Sequence, residues 1–164
     1  LAERSLADDA NLLTVDIAAL TALTKLFLPS FIARGSGRIL NVSSIASLVP
    51  GPWQATYFAA KAYVTSLTLA LSEELRGTGV TATVVLPSGM RTGFEAAAKL
   101  EGTGLAAQLT QSPDDVARRS YEAMLRGRRK LIAGTPLLQR LLLRLVPFAP
   151  TAFVLRVVAR LHKR

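Results

Sequence analysis

A chain of 164 residues, half of them apolar, is long enough to bury a core and too apolar to stay disordered. It has no cysteine, which excludes disulfides, thiolate catalysis and cysteine-ligated metals and fits a reducing, cytoplasmic setting; its one histidine, His162, gives a metal site no second imidazole. The net charge of +9 is uneven, because residues 1–125 hold ten Lys/Arg against eleven Asp/Glu while residues 126–164 hold ten Lys/Arg and no acid. Those cations alternate with Leu and Val instead of stacking aromatics, a composition that argues against nucleic acid and for an apolar partner or an anionic membrane surface.

The chain opens on Leu1, and residues 1–10 lack the basic, apolar and small-residue succession of a signal peptide, so it reads as cut from something longer. Asp8-Asp9-Ala10 precedes a helical pattern of Leu12, Leu13, Val15, Leu20, Leu23, Leu26 and Phe27, predicting a helix from about Ala7 to Ala33 with a kink near Pro29. Gly35-Ser36-Gly37 ends it. Ile39 to Val42 is a short apolar strand of the kind buried on both faces of a parallel sheet, and Val49-Pro50-Gly51-Pro52 is a loop.

A second helix is expected from Gln54 to Arg76, then a Val- and Thr-rich strand from Val80 to Leu86 that breaks at Pro87-Ser88-Gly89. Residues 93–112 are Ala-rich and Gly-punctuated, a short helix and mobile loop over a site. Ser112-Pro113-Asp114-Asp115 starts a helix, with Ser112 as its N-cap, that ends near Gly127; Lys130 to Ala133 is a third strand. From Pro136 two amphipathic helices follow, split at Pro147 to Pro150. Helices alternating with strands predict an α/β fold with a parallel, Rossmann-like doubly wound sheet, of which about three strands are present. Residues 1–135 form that part and 136–164 a basic helical tail.

The chemistry concentrates between Arg38 and Lys61. Ser44 ends the first strand, Tyr57 follows thirteen positions later, and Lys61 lies four beyond Tyr57, so phenol and ammonium share one helical face. A phenol with a pKa of about 10 is a poor base at neutral pH, and a fixed cation beside it favours phenolate. Ser43 and Ser47 lack that spacing, and Tyr63 and Tyr121 have no lysine four residues on.

Asn41-Val42-Ser43-Ser44, Tyr57-x-x-x-Lys61 and the strand breaking into Pro87-Ser88-Gly89-Met90-Arg91-Thr92 together resemble the short-chain dehydrogenase/reductase family. The resemblance implies an oxidoreductase that exchanges hydride between NADP or NAD, NADP slightly ahead, and a carbonyl or alcohol. Ser44 then polarises the carbonyl, Tyr57 passes the proton, and Lys61 binds the nicotinamide ribose and lowers the tyrosine's pKa. Pro87, Ser88, Gly89 and Thr92 lie along the cofactor, with Ser88 standing where the family has glycine. Asp16 occupies the place of an asparagine that anchors a water in the proton relay; it either takes over that relay role or is a structural substitution, and as an acid it opposes phenolate formation.

The family's Thr-Gly-x-x-x-Gly-x-Gly turn is not in the sequence, so the pyrophosphate cradle lies outside it. A non-catalytic scaffold that lost its cofactor half is the alternative reading. The resemblance further implies a homo-oligomer packed through the helices at 7–33 and 54–76. The tail is expected to cap the substrate pocket or pack on a partner subunit, with peripheral membrane contact through 136–164 as the other reading and a lipophilic substrate as the hint it gives.

Overall fold

The computed structural model describes residues 4–90 and 111–162. Thr92 and the Ala-rich stretch from 93 to 110 lie outside the described residues. Three parallel strands, β1 (Gly37–Val42), β2 (Val80–Pro87) and β3 (Lys130–Ala133), stand in the order β1-β2-β3. Gly37 pairs with Val80 and Val42 with Val85 at one junction, and Val84 pairs with Lys130 and Pro87 with Ala133 at the other. Each crossover carries a helix, α3 (Ala55–Glu74) between β1 and β2 and α4 (Pro113–Leu125) between β2 and β3.

The alternation of β2 places helices on both faces of the sheet. Val80 and Ala82 pack with Leu71 and Leu75 at the end of α3, whereas Val85 packs with Val116 of α4 and Ala133. The arrangement is therefore the doubly wound α/β one that the order of elements predicts. The strand buried on both faces is β2, not β1: β1 pairs with one strand among the described residues, Ile39 and Leu40 are half-buried and Val42 is exposed. Position in the sheet, which an apolar run does not encode, makes that difference.

The N-terminal helical run divides into α1 (Leu6–Leu13), a π-helical segment at Thr14–Ala19 and α2 (Leu20–Ala33). Ser5 caps α1 by accepting from the Asp8 N–H at 3.0 Å, and Asp8 and Asp9 occupy its first turn. The irregular stretch is thus around Asp16; Pro29 sits inside α2 without dividing it. Such π segments often occur at functional sites. Ser112 stands at the N-cap of α4 in extended conformation, but its side chain makes no capping bond; Pro113 follows at the first turn.

Two turns dock end to end. Gly79 has φ +77° and its α-carbon lies so close to the Gly35 carbonyl that a Cβ has no room, so the turn before β2 closes against the turn before β1. After β3, α5 (Leu137–Leu145), a short 3₁₀ turn (Val146–Phe148) and α6 (Thr151–His162) form the tail. Val154 and Val158 of α6 bury themselves on Phe58 of α3, so the tail shares a core with the helix that carries Tyr57 and Lys61.

Candidate active site

The end of β1 and the face of α3 are joined by hydroxyl groups. Ser43 Oγ donates to the Lys61 carbonyl at 2.8 Å, and Thr65 Oγ1 lies 2.7 Å from Ser43 Oγ and 2.9 Å from Ser47 Oγ, with one hydrogen to share between them. One step deeper, Asn41 Nδ2 donates to Thr68 Oγ1 at 3.0 Å. Residues 41 and 43 point to one face of the strand and 65 and 68 to one face of the helix, so short polar side chains zip the two together in a buried setting. The spacing between Ser44 and the Lys61 backbone is fixed by that zipper. Sequence reasoning set Ser43 and Ser47 aside as non-catalytic and missed Thr65 and Thr68; the signal was small hydroxyl residues three apart on a helix facing alternate polar residues of a strand.

Ser44, next along, points the other way. Its Oγ accepts from the Ala46 N–H at 3.1 Å, which leaves the hydroxyl hydrogen free to donate, and Ser44 and Tyr57 are hydrogen-bonded through their side chains. Tyr57 stands edge-on to Phe58, with centroids 6.0 Å apart and planes at 79°. Lys61 Nζ lies 5.7 Å from the centre of the Tyr57 ring and 3.0 Å from Asp16 Oδ2. The side chains of Lys61 and Asp16 are only 13% and 22% exposed, so this ion pair is well shielded from water. Asp16 reaches it from the π-helical segment, which packs on α3.

Electrostatics depart here from the simple picture of a lysine that lowers a tyrosine's pKa. Burial pushes the Tyr57 phenol above its ordinary value; the hydrogen bond from Ser44 works the other way, and the negative charge of Asp16 adds to the rise. The net direction is upward. Asp16 opposes phenolate formation, as its acidity predicts, and by pairing with Lys61 it also ties down the cation placed to favour phenolate.

Ser44, Tyr57, Lys61 and Asp16 open into one cavity of about 1070 Å³. Pro87, Ser88, Gly89 and Met90 at the end of β2 line it too. Ser88 donates its N–H to the Ala133 carbonyl at 3.0 Å, and its Oγ lies over Gly134, which directs the side chain toward β3. The opposite wall is apolar, aliphatic but for Phe153, and comes from the tail: Leu142, Leu143 and Leu145 of α5, Val146, and Phe153, Val154, Val157, Val158 and Leu161 of α6. The tail helices thus form one wall of the cavity.

Immediately before α3, Trp53 has φ +73°, a left-handed conformation unfavourable for a bulky side chain. Two residues before it, the α-carbon of Gly51 is pressed against the Phe58 ring. The loop is thereby wedged onto the helix one residue beyond Tyr57.

A serine at the end of a parallel strand, a tyrosine bonded to it from the next helix, and a lysine one turn along are the arrangement on which the sequence resembles the short-chain dehydrogenase/reductase family. The chain belongs to that family, whose profile, "short chain dehydrogenase", matches residues 2–101. It is 33% identical over 156 residues to a ketoacyl reductase, HetN, of Nostoc sp. (strain PCC 7120), an alignment covering 92% of this chain and 54% of the relative. Among solved structures it resembles a short-chain dehydrogenase/reductase from Burkholderia phymatum in complex with NAD, with TM-score 0.74, 26% identity and coverage of 88% of this chain and 59% of that one. A short-chain dehydrogenase from Sphingobium yanoikuyae in complex with NADPH shares the fold at TM-score 0.76 and 24% identity, over 86% of this chain and 54% of that one. The chain thus spans little more than half the length of these relatives.

Proposed function

We propose that the protein is an oxidoreductase that moves hydride between NAD or NADP and the carbonyl or alcohol carbon of a lipophilic substrate. One observation carries this reading: the hydrogen-bonded Ser44 and Tyr57 hydroxyls, with Lys61 beside them, face a cavity whose far wall is apolar. The residues present fit the nicotinamide end of such a cofactor, since Tyr57, Lys61 and the Pro87 to Gly89 loop share one cavity. The dinucleotide, when bound, supplies or accepts the hydride.

The chain's own groups handle the proton and the charge. In the reducing direction Ser44 and Tyr57 donate to the carbonyl oxygen, and Tyr57 gives up its proton as negative charge gathers there. A phenol whose pKa is raised by burial is fully protonated at neutral pH, which suits a general acid. Lys61 faces the phenolate that remains, and an ammonium has three hydrogens, so its bond to Asp16 leaves others for the tyrosine oxygen or a ribose hydroxyl. Asp16, an acceptor at the back of this chain of donors, acts as the relay member that holds Lys61 in place.

The volume and the apolar wall favour a substrate with an extended apolar part, in line with the ketoacyl substrate in the name of the Nostoc relative. The second edge of β1 is the place where further strands of a doubly wound sheet, carrying a dinucleotide cradle, would pair. A second copy of the chain is the natural cover for the outer face of α2, where Leu23, Leu26 and Phe27 are exposed, and for the adjoining α3, joined to it by a 2.9 Å hydrogen bond between Thr21 and Tyr63.

The test is Tyr57→Phe in the full-length protein, which keeps the ring and removes the proton. Reduction of a long-chain keto substrate, followed by nicotinamide absorbance, should fall by about three orders of magnitude. Activity within a few-fold of the original would refute the assignment.

A further inference from the structure

The tail helices turn the usual amphipathic pattern outward. Along α5, Leu138, Leu141, Leu142 and Leu145 recur at helical spacing, and all four are more than half exposed, Leu138 at 69%. Arg140 of the same helix reaches inward, donating from Nη2 to the Ile132 carbonyl at 2.6 Å. A helix on a water-facing surface places its apolar stripe toward the core and its charges outward. The 3₁₀ turn continues the exposed stripe with Phe148, 86% exposed, and α6 adds Phe153 at 61%. Val154 and Val158 anchor α6 on Phe58, so the exposure is not that of a detached segment.

Charge narrows the choice of occupant. Arg144, Arg156 and Arg160 are exposed among these residues, and from position 126 onward the sequence has ten cations and no acid. A second copy of this face would match leucines with leucines but would bring cations against cations with no carboxylate to offset them. A nucleic acid would suit the arginines and leave the leucines in water. An anionic lipid surface satisfies both, with headgroups for the guanidinium groups and acyl chains for Leu and Phe.

We propose that α5, the 3₁₀ turn and α6 form a docking surface for anionic bilayers. Leu142, Leu145 and Phe153 belong at once to the exposed stripe and to the cavity wall, so the cavity is continuous with the docking surface. On the function proposed above, an apolar substrate reaches Tyr57 from the lipid phase without crossing water.

The test is sedimentation of the full-length protein with vesicles of phosphatidylcholine alone and of phosphatidylcholine with about one third phosphatidylserine. Binding should favour the anionic vesicles by about tenfold or more and weaken in high salt. Leu138→Gln, Leu141→Gln and Phe148→Gln combined, all outside the cavity wall, should lower anionic binding about tenfold while turnover of a short, water-soluble ketone stays unchanged. Arg144→Gln, Arg156→Gln and Arg160→Gln combined should lower it similarly and remove the salt dependence. Tyr57→Phe should lose turnover and keep vesicle binding, so the docking surface and the redox reading fail separately. No sedimentation with anionic vesicles overturns the proposal, as does binding unchanged in both combined variants. Loss of self-association in the Leu/Phe variant without any vesicle binding overturns it in favour of a second copy.

Discussion

The two sides of the cavity are built on opposite principles. On the sheet side, polar groups are buried and nearly every one named has a partner: Asn41 with Thr68, Ser43 with Thr65 and the Lys61 carbonyl, Asp16 with Lys61. On the tail side, apolar groups are exposed and an arginine is turned inward. The first side gains rigidity from paired polar groups in a shielded setting, which fixes the positions of Ser44, Tyr57 and Lys61 relative to one another. The second leaves its leucines unpacked, open to the substrate and the bilayer proposed above. A site of this kind needs both, since proton transfer demands fixed geometry whereas an aliphatic ligand demands only an apolar wall.

The sharpest way to break the comparison is at the joint between the two sides. Phe58 carries the tail on α3, so Phe58→Ala should lower stability by about 3 to 5 kcal/mol and release α6, seen as faster hydrogen exchange in the tail than in the sheet. Equal destabilisation of both regions would mean that the tail does not hang on this residue.

Asp16→Asn tests the polar side alone. Removing the carboxylate should cost about 1.5 kcal/mol of stability through the lost charged partner of Lys61. It should also lower the Tyr57 pKa, because one of the causes of its rise disappears and Lys61 is freed to act on the phenol. In the proposed reaction alcohol oxidation depends on phenolate, so its rate should rise with pH through the tyrosine's pKa, and in the variant that rise should come at lower pH. A profile that stays in place would show that Asp16 serves only as support.

The smallest effect contrasts two serines that look alike in sequence. Ser5→Ala should cost about 1 kcal/mol, since it removes the bond to the Asp8 N–H, while Ser112→Ala should leave the melting temperature nearly unchanged. Both are read by thermal denaturation of the single variants.

The elements were largely legible because their signals are local. Glycine-closed helices and Val-rich strands fixed β2, α3 and α4 to within a residue or two. The π-helical segment was not legible. A tract with the composition of Thr14 to Ala19 suits an ordinary helix, and its distortion coincides with the place where Asp16 meets Lys61, forty-five positions away. The sense of the Tyr57 shift escaped for the same reason: spacing shows a lysine one turn from a tyrosine, but how deeply the phenol is buried depends on packing by Phe58 and the tail.

By itself the sequence determined which reactive groups exist and their order along the chain. A serine ending a strand, a tyrosine and a lysine sharing a helical face, and a tail with cations and no acids all follow from short-range periodicity and residue chemistry. Only the tertiary structure decided that Asp16 pairs with Lys61, that Thr65 and Thr68 zip β1 to α3, and that α5 turns its leucines outward. These are contacts between segments far apart in the chain. Periodicity shows that a helix has an apolar face; the packing of its neighbours decides what that face meets.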